Sequence, residues 1–159
     1  MNFFVTALVL IILFNAVGFL IGRRYDISSL SWYKEASKQI GTIPPGAVFG
    51  IVWTLLYTLM GISLAMILNT DCKWKTLGLV FFAIQLFFNY IWTPTFVSGN
   101  IVNSSFIILI TMMFTILTIL VFYRINMTAA LLLVPYVAWL LQAWYFNNRL
   151  VEVVGSANN

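Results

Sequence analysis

Gln85, Asn89, Trp92 and Phe96 are spaced by four, three and four residues, so a helix places all four on one face. That face carries two amides and two aromatic rings within an otherwise apolar stretch. Amides buried among lipid-embedded helices must find partners, so the face points into a bundle. There the amides either hold neighbouring helices together or orient a bound ligand. Phe49, Trp53, Tyr57 and Gly61 repeat the helical spacing, and so do Trp139, Ala143 and Phe146, which follow the pair Pro135-Tyr136. A proline within a span frees a carbonyl and bends the helix. Trp and Tyr normally sit at the membrane interface, which accounts for Trp74 and Trp144, whereas Trp53 and Trp139 lie about nine to twelve residues inside their spans. Rings at that depth either pack the core or line a cavity for a flat apolar ligand, and spacing alone favours packing.

The residue types that are missing narrow the chemistry. The sequence has no histidine, one cysteine and four carboxylates. A histidine-based triad, a histidine metal site, histidine ligation of haem and an intrachain disulfide are therefore excluded, and no metal or cofactor is required. Haem, as a ligand, must be held by shape, stacking and its propionates, or through an unusual axial ligand such as Tyr, Met or Cys72.

The elements that position these residues follow from the charge pattern. Hydrophobic residues make up 62% of the 159 and charged ones 8%, whereas a soluble domain has roughly 25% charged. The charges cluster at 23–38, 71–75, Arg124 and 149–152. The uncharged runs between them are long enough for helices of about 20 residues. The run 76–123 is too long for one span, and Ser98-Gly99-Asn100 divides it. The expected fold is an all-α integral membrane protein, a five-transmembrane-helix bundle with helices at about 3–22, 44–68, 76–97, 101–123 and 127–148. Barrel strands would alternate apolar and polar residues, which Val5 to Phe14 and Phe106 to Phe122 do not. Arg23 and Arg24 follow the first apolar stretch rather than precede it, so it reads as a retained helix and not a signal peptide.

The whole chain, 1–159, reads as one domain. Segment 23–43, with Trp32 and Tyr33, is expected to lie as a loop over one mouth of the bundle and to enter the second helix in extended form at Pro44-Pro45. The tail after Glu152 is expected to fray. Gly18 and Gly22, and likewise Gly46 and Gly50, are spaced for close helix approach and read as packing sites. Five spans put the termini on opposite sides. Arg23, Arg24, Lys34, Lys38 and Arg149 then share one side, against Lys73, Lys75 and Arg124, which places the first loop and the C-terminus in the cytosol. Basic residues flanking helices are what topology and lipid head groups require, so the net charge of +4 does not point to nucleic acid.

Three stretches together resemble a known family. They are Ser31-Trp32-Tyr33 followed by Pro44-Pro45-x-x-x-Phe49-Gly50-x-x-Trp53-Thr54-x-x-Tyr57-x-x-Met60-Gly61, then Gln85-Leu86-x-x-Asn89-x-x-Trp92 with Phe96, and Pro135-Tyr136-x-x-Trp139 with Ala143 and Asn147. In order, spacing and depth these are similar to the tryptophan-rich sensory protein and translocator protein family. The resemblance implies a five-helix bundle, often a homodimer, with a pocket opening toward the first loop. Members occur in the bacterial cell envelope and the mitochondrial outer membrane. They bind porphyrins, and animal members also bind cholesterol. Carried over by position, the ligand-binding residues are Phe49, Trp53, Tyr57, Asn89, Trp92, Trp139, Ala143 and Phe146. Some bacterial members are associated with light-dependent porphyrin breakdown, for which the resemblance points to Trp53 and Trp139.

The chain also departs from that pattern. Lys38-Gln-Ile-Gly-Thr-Ile replaces the family's Lys-Pro-x-Trp, Ala47 stands where a Trp is usual, and the fourth helix offers Asn103, Ser104 and Ser105 in place of a tryptophan and an acidic residue. The loop over the pocket and the wall formed by the fourth helix are therefore expected to differ. A weak sterol pattern, Leu141-x-x-x-Tyr145-x-x-x-Arg149, lies near the end of the fifth helix. The expected function is a membrane receptor or carrier for a porphyrin-type ligand, with a sterol as another candidate. The alternative readings are a porphyrin-degrading enzyme and, less readily, an ion-coupled transporter, since no span contains an ionisable group.

Overall fold

The computed structural model describes residues 2–41 and 46–156, which form helices and short connections, with no strand among them. α1 (Phe3–Arg24) opens where the Asn2 side chain accepts from Phe4 N at 3.0 Å, and it ends on Arg23 and Arg24, whose charge suits the carbonyl end of a helix. A 3-10 turn (Ile27–Ser29) leads to α2 (Ser31–Ile40), which stops at Gly41 with φ +68°, a left-handed conformation that favours glycine. α3 covers Gly46–Leu68, α4 Lys75–Val97 and α5 Ile101–Ile125. Lys75 Nζ donates to the Leu68 carbonyl at 2.8 Å and so caps α3, and the Asn100 side chain caps α5 by accepting from Asn103 N. α6 (Met127–Leu131) and α7 (Val134–Ser156) make the last span. Five stretches among the described residues are long and apolar enough to cross a bilayer, in the expected order.

Four local expectations need correction or fall outside the structure. Segment 23–43 is not merely a loop, because α2 occupies its centre. Trp32, Tyr33, Ala36 and Ile40 fall on one face of α2 and join a small apolar cluster with Phe96, Ile101 and Leu150. The expected helix 127–148 is broken at Leu132-Leu133, so Pro135 stands in the first turn of α7, where its missing N–H costs nothing, rather than bending a continuous helix. The tail after Glu152 stays helical to Ser156, since Val151, Val153 and Val154 pack against the α2 cluster. The extended entry at Pro44-Pro45 lies outside the described residues.

α1 packs along α3, α3 crosses α6, α7 packs along α5 and α5 along α4, and α4 returns to α1, so the spans close a ring. Tight approaches occur at Gly18, which was expected to pack, and at Gly61 and Gly78, which were not, while the surroundings of Gly46 lie outside the described ones. A Cβ on Gly61 would stand 2.9 Å from Ile11 N, and one on Gly78 would stand 2.9 Å from the Phe122 ring. Gly18 does pack, against the Tyr57 ring, but Gly22 and Gly50 meet no neighbouring atom within 4 Å among the described residues. Large apolar side chains such as Phe4, Leu8, Ile12 and Ile51 face outward, as lipid requires, while Ser63, Gln85, Asn89, Thr111 and Asn147 are buried. Ser63 Oγ donates to the Ala129 carbonyl at 2.7 Å and joins α3 to α6.

Candidate ligand-binding site

α3, α4 and α7 are tied together at mid-depth by one hydrogen-bonded clamp. Tyr57 OH donates to Asn89 Oδ1 at 2.8 Å, and Asn89 Nδ2 donates to Tyr136 OH at 2.7 Å. Towards α2, α3 and α7 face each other through rings rather than backbone. Phe49 and Trp139 lie 5.4 Å apart between centroids, Trp53 and Trp139 6.5 Å, and Trp53 and Tyr136 6.1 Å. Side chains of this size hold the helices apart and leave a cavity of about 710 Å³, within the roughly 300–1,000 Å³ range of small-molecule sites.

All eight residues expected at a ligand site, Phe49, Trp53, Tyr57, Asn89, Trp92, Trp139, Ala143 and Phe146, line this one cavity. Its mouth carries Arg23 of α1, Asp26 just beyond it, and Tyr33, Lys34 and Ser37 of α2. α2 is seated by an aromatic column, in which Trp32 and Tyr33 lie 5.4 and 5.9 Å from Phe96, and Phe96 stacks on Trp92 at 5.0 Å. Burial in that contact pushes the Tyr33 phenol above its usual pKa of 10.0, so it stays a neutral hydroxyl.

The two amides differ in which of the expected roles they take. Both ends of the Asn89 amide are taken up by the two phenols, so it acts as a joint between helices although it borders the cavity. Gln85, one turn away, is 1% exposed and does not line the cavity; its Oε1 and Nε2 have no partner among the described residues. Two indoles that do line the cavity are in the same condition, because Trp92 Nε1 and Trp139 Nε1 are buried without an acceptor, as is Tyr90 OH. A buried donor left unpaired costs roughly 1–3 kcal/mol, which an acceptor on a bound molecule recovers.

The fourth span, expected to form one wall of the pocket, contributes no residue to the cavity lining among the described residues, and its small polar residues hold α7 instead. Ser104 and Ser105 are buried and hold Asn147 of α7, whose Nδ2 donates to Ser105 Oγ at 2.6 Å and to the Ile101 carbonyl at 2.8 Å. Ser104 Oγ donates back to Asn147 Oδ1 at 3.1 Å. Below them Ile108 and Thr111 border a small recess behind Trp92 and Trp139.

Other expected residues lie elsewhere. Leu141 and Tyr145 are half-exposed on the outer face of α7, and Arg149 pairs with Glu152 at 2.7 Å, so this stripe does not border the cavity. Cys72 sits on the connection between α3 and α4 and, like the methionines, is absent from the cavity wall. Of the unusual haem ligands among the described residues, only tyrosines (Tyr25, Tyr33, Tyr57 and Tyr90) border the space. Among the described residues no group of three or more Cys, Asp or Glu side chains is placed to hold a metal. Sequence reasoning passed over Tyr90, which borders the cavity but keeps step with none of the aromatic faces. Tyr136, which its spacing already placed on the Trp139 face, does not border the cavity and serves in the clamp instead.

The sequence profile of the TspO/MBR family matches residues 7–152. The "Tryptophan-rich protein TspO" of Chlorobaculum tepidum is 36% identical over 87% of this chain and 89% of its own length. "Protein CrtK" of Rhodobacter capsulatus is 31% identical over 74% of each chain, and the "Translocator protein" of Bos taurus is 29% identical over 87% of this chain and 84% of its own. With a match that covers nearly all of its five spans, the chain belongs to the TspO/MBR family.

Proposed function

We propose that this protein is a membrane receptor or carrier for a flat apolar ligand, a porphyrin-type tetrapyrrole, held among the indoles of the cavity. The observation that carries the reading is the pair of buried, unpartnered indole donors, Trp92 Nε1 and Trp139 Nε1, on the wall of a space large enough for a small molecule. Phe49 and Trp53 add ring faces for stacking, and Arg23 and Lys34 stand at the mouth, where propionates of a ligand would emerge. The α2 end faces the cytosol in this reading, on the count of basic residues. The test is titration with protoporphyrin IX while tryptophan fluorescence is followed. Saturable quenching is expected; its absence, or identical quenching in a Trp53→Phe, Trp139→Phe double variant, overturns the reading.

One observation favours a second activity on the same site. Trp53 and Trp139 lie 6.5 Å apart between ring centroids and both border the cavity. An excited tetrapyrrole bound there would have oxidisable indoles beside it. Illumination in air should then deplete the bound porphyrin in a tryptophan-dependent way, and an unchanged absorbance spectrum leaves binding alone.

A further inference from the structure

The interface between α1 and α3 changes character along its length. In its lower half the two helices are sealed. Gly61 brings α3 against the Ile11 backbone, Asn15 Nδ2 donates to Thr58 Oγ1 at 3.4 Å, and Gly18 accommodates the Tyr57 ring. One turn higher the seal ends. Gly22 on α1 and Gly50 on α3 both have open space where a Cβ would stand, with no neighbouring atom within 4 Å among the described residues.

That opening is continuous with the cavity. Phe19 and Gly22 of α1 and Gly50 and Thr54 of α3 all border the cavity, and Phe19 is 67% exposed. Of these four residues only Thr54 has a polar side chain, and its Oγ1 turns back to donate to the Gly50 carbonyl at 2.9 Å. The space behind the cleft contains Trp139, 9% exposed, whose Nε1 has no partner among the described residues. On the aqueous side the mouth is overlain by α2, which its aromatic column holds in place. A flat apolar molecule partitions into the bilayer, so a route from the hydrocarbon avoids carrying it through water.

We infer that the cleft between α1 and α3 at Gly22 and Gly50 is a lateral portal through which an apolar ligand passes between the bilayer and the cavity. The inference rests on the receptor reading above, because it presupposes a ligand in the cavity. A portal governs rates and not affinity, since closing it slows entry and exit alike.

The test uses the full chain in lipid vesicles with Gly22→Cys and Gly50→Cys in a Cys72→Ser background. The two thiols are bridged by a bifunctional reagent that contains a disulfide. Protoporphyrin IX preloaded in the bilayer is the probe, and tryptophan quenching is followed by stopped flow. With the bridge closed, association and dissociation should both slow by roughly tenfold or more, and reduction should restore them in the same sample, which excludes misfolding. A Gly22→Leu, Gly50→Leu variant should show the same slowing. Saturable quenching with unchanged rates in the bridged protein overturns the portal and leaves the receptor intact. Absence of saturable quenching in the unbridged protein overturns the receptor reading and the portal with it.

Discussion

Asn89 shows how one amide can organise three membrane helices. It accepts from Tyr57 and donates to Tyr136, so the two phenols find partners inside the bundle. Asn89→Leu leaves both hydroxyls buried and unpaired. It should lower stability by roughly 1–3 kcal/mol, read as a fall in the thermal midpoint of the purified protein. Tyr57→Phe removes only one arm and should cost about 1 kcal/mol. Neither contact was legible beforehand, because the partners lie 32 and 47 residues from Asn89 and periodicity links only residues on one helix. Tyr33 carries a prediction of another kind. Its pKa is raised on folding by burial, so docking of α2 is at full strength below pH 10.0 and weakens as pH rises from there through the higher folded value. Proteolysis between residues 25 and 41 should therefore accelerate above pH 10.0. Tyr33→Phe should abolish that acceleration.

At the scale of elements, the glycines separate sealed contacts from open ones. Gly61→Ala puts a methyl group 2.9 Å from a backbone nitrogen of α1, which cannot yield without moving the helix. A loss of roughly 1–3 kcal/mol is expected in chemical or thermal denaturation. Gly22→Ala meets nothing, so it should be neutral or stabilise by up to about 1 kcal/mol through helix propensity alone. The sequence did not distinguish these cases. Gly18 and Gly22 have the same four-residue spacing as any packing pair, and only the partner helix decides which of them is covered. The five spans were legible, because charge is expelled from hydrocarbon and its clusters mark the ends. The break at Leu132-Leu133 was not, since two leucines continue an apolar run as well as any helical residues. The site's aromatic faces were legible because Phe49, Trp53 and Tyr57 and the set Trp139, Ala143 and Phe146 keep helical period. The docking of α2 on Phe96 was not, because it joins residues some sixty positions apart and depends on how the chain enters and leaves the ring of helices.

Taken as a whole, the molecule joins an apolar, indole-lined interior to a mouth with basic side chains, and under the proposed function the two would meet different parts of a porphyrin. Arg23 and Lys34 are exposed at that mouth, so each contributes in a well-hydrated setting. Contacts of this kind give about 0.2–1 kcal/mol apiece, and together they change affinity by roughly two- to thirtyfold. The remaining affinity must come from burial of the ring system. Arg23→Gln combined with Lys34→Gln should therefore weaken protoporphyrin IX binding within that range, and less so in high salt, where the charges are already screened. The dimethyl ester of the same porphyrin has no carboxylates for these cations to meet, so its affinity should be equal in both proteins. An equal loss for acid and ester would mean that the two side chains act through their methylene stems. No loss for either would mean that the propionates do not emerge at α2, and that the ligand lies in the cavity with its polar edge elsewhere.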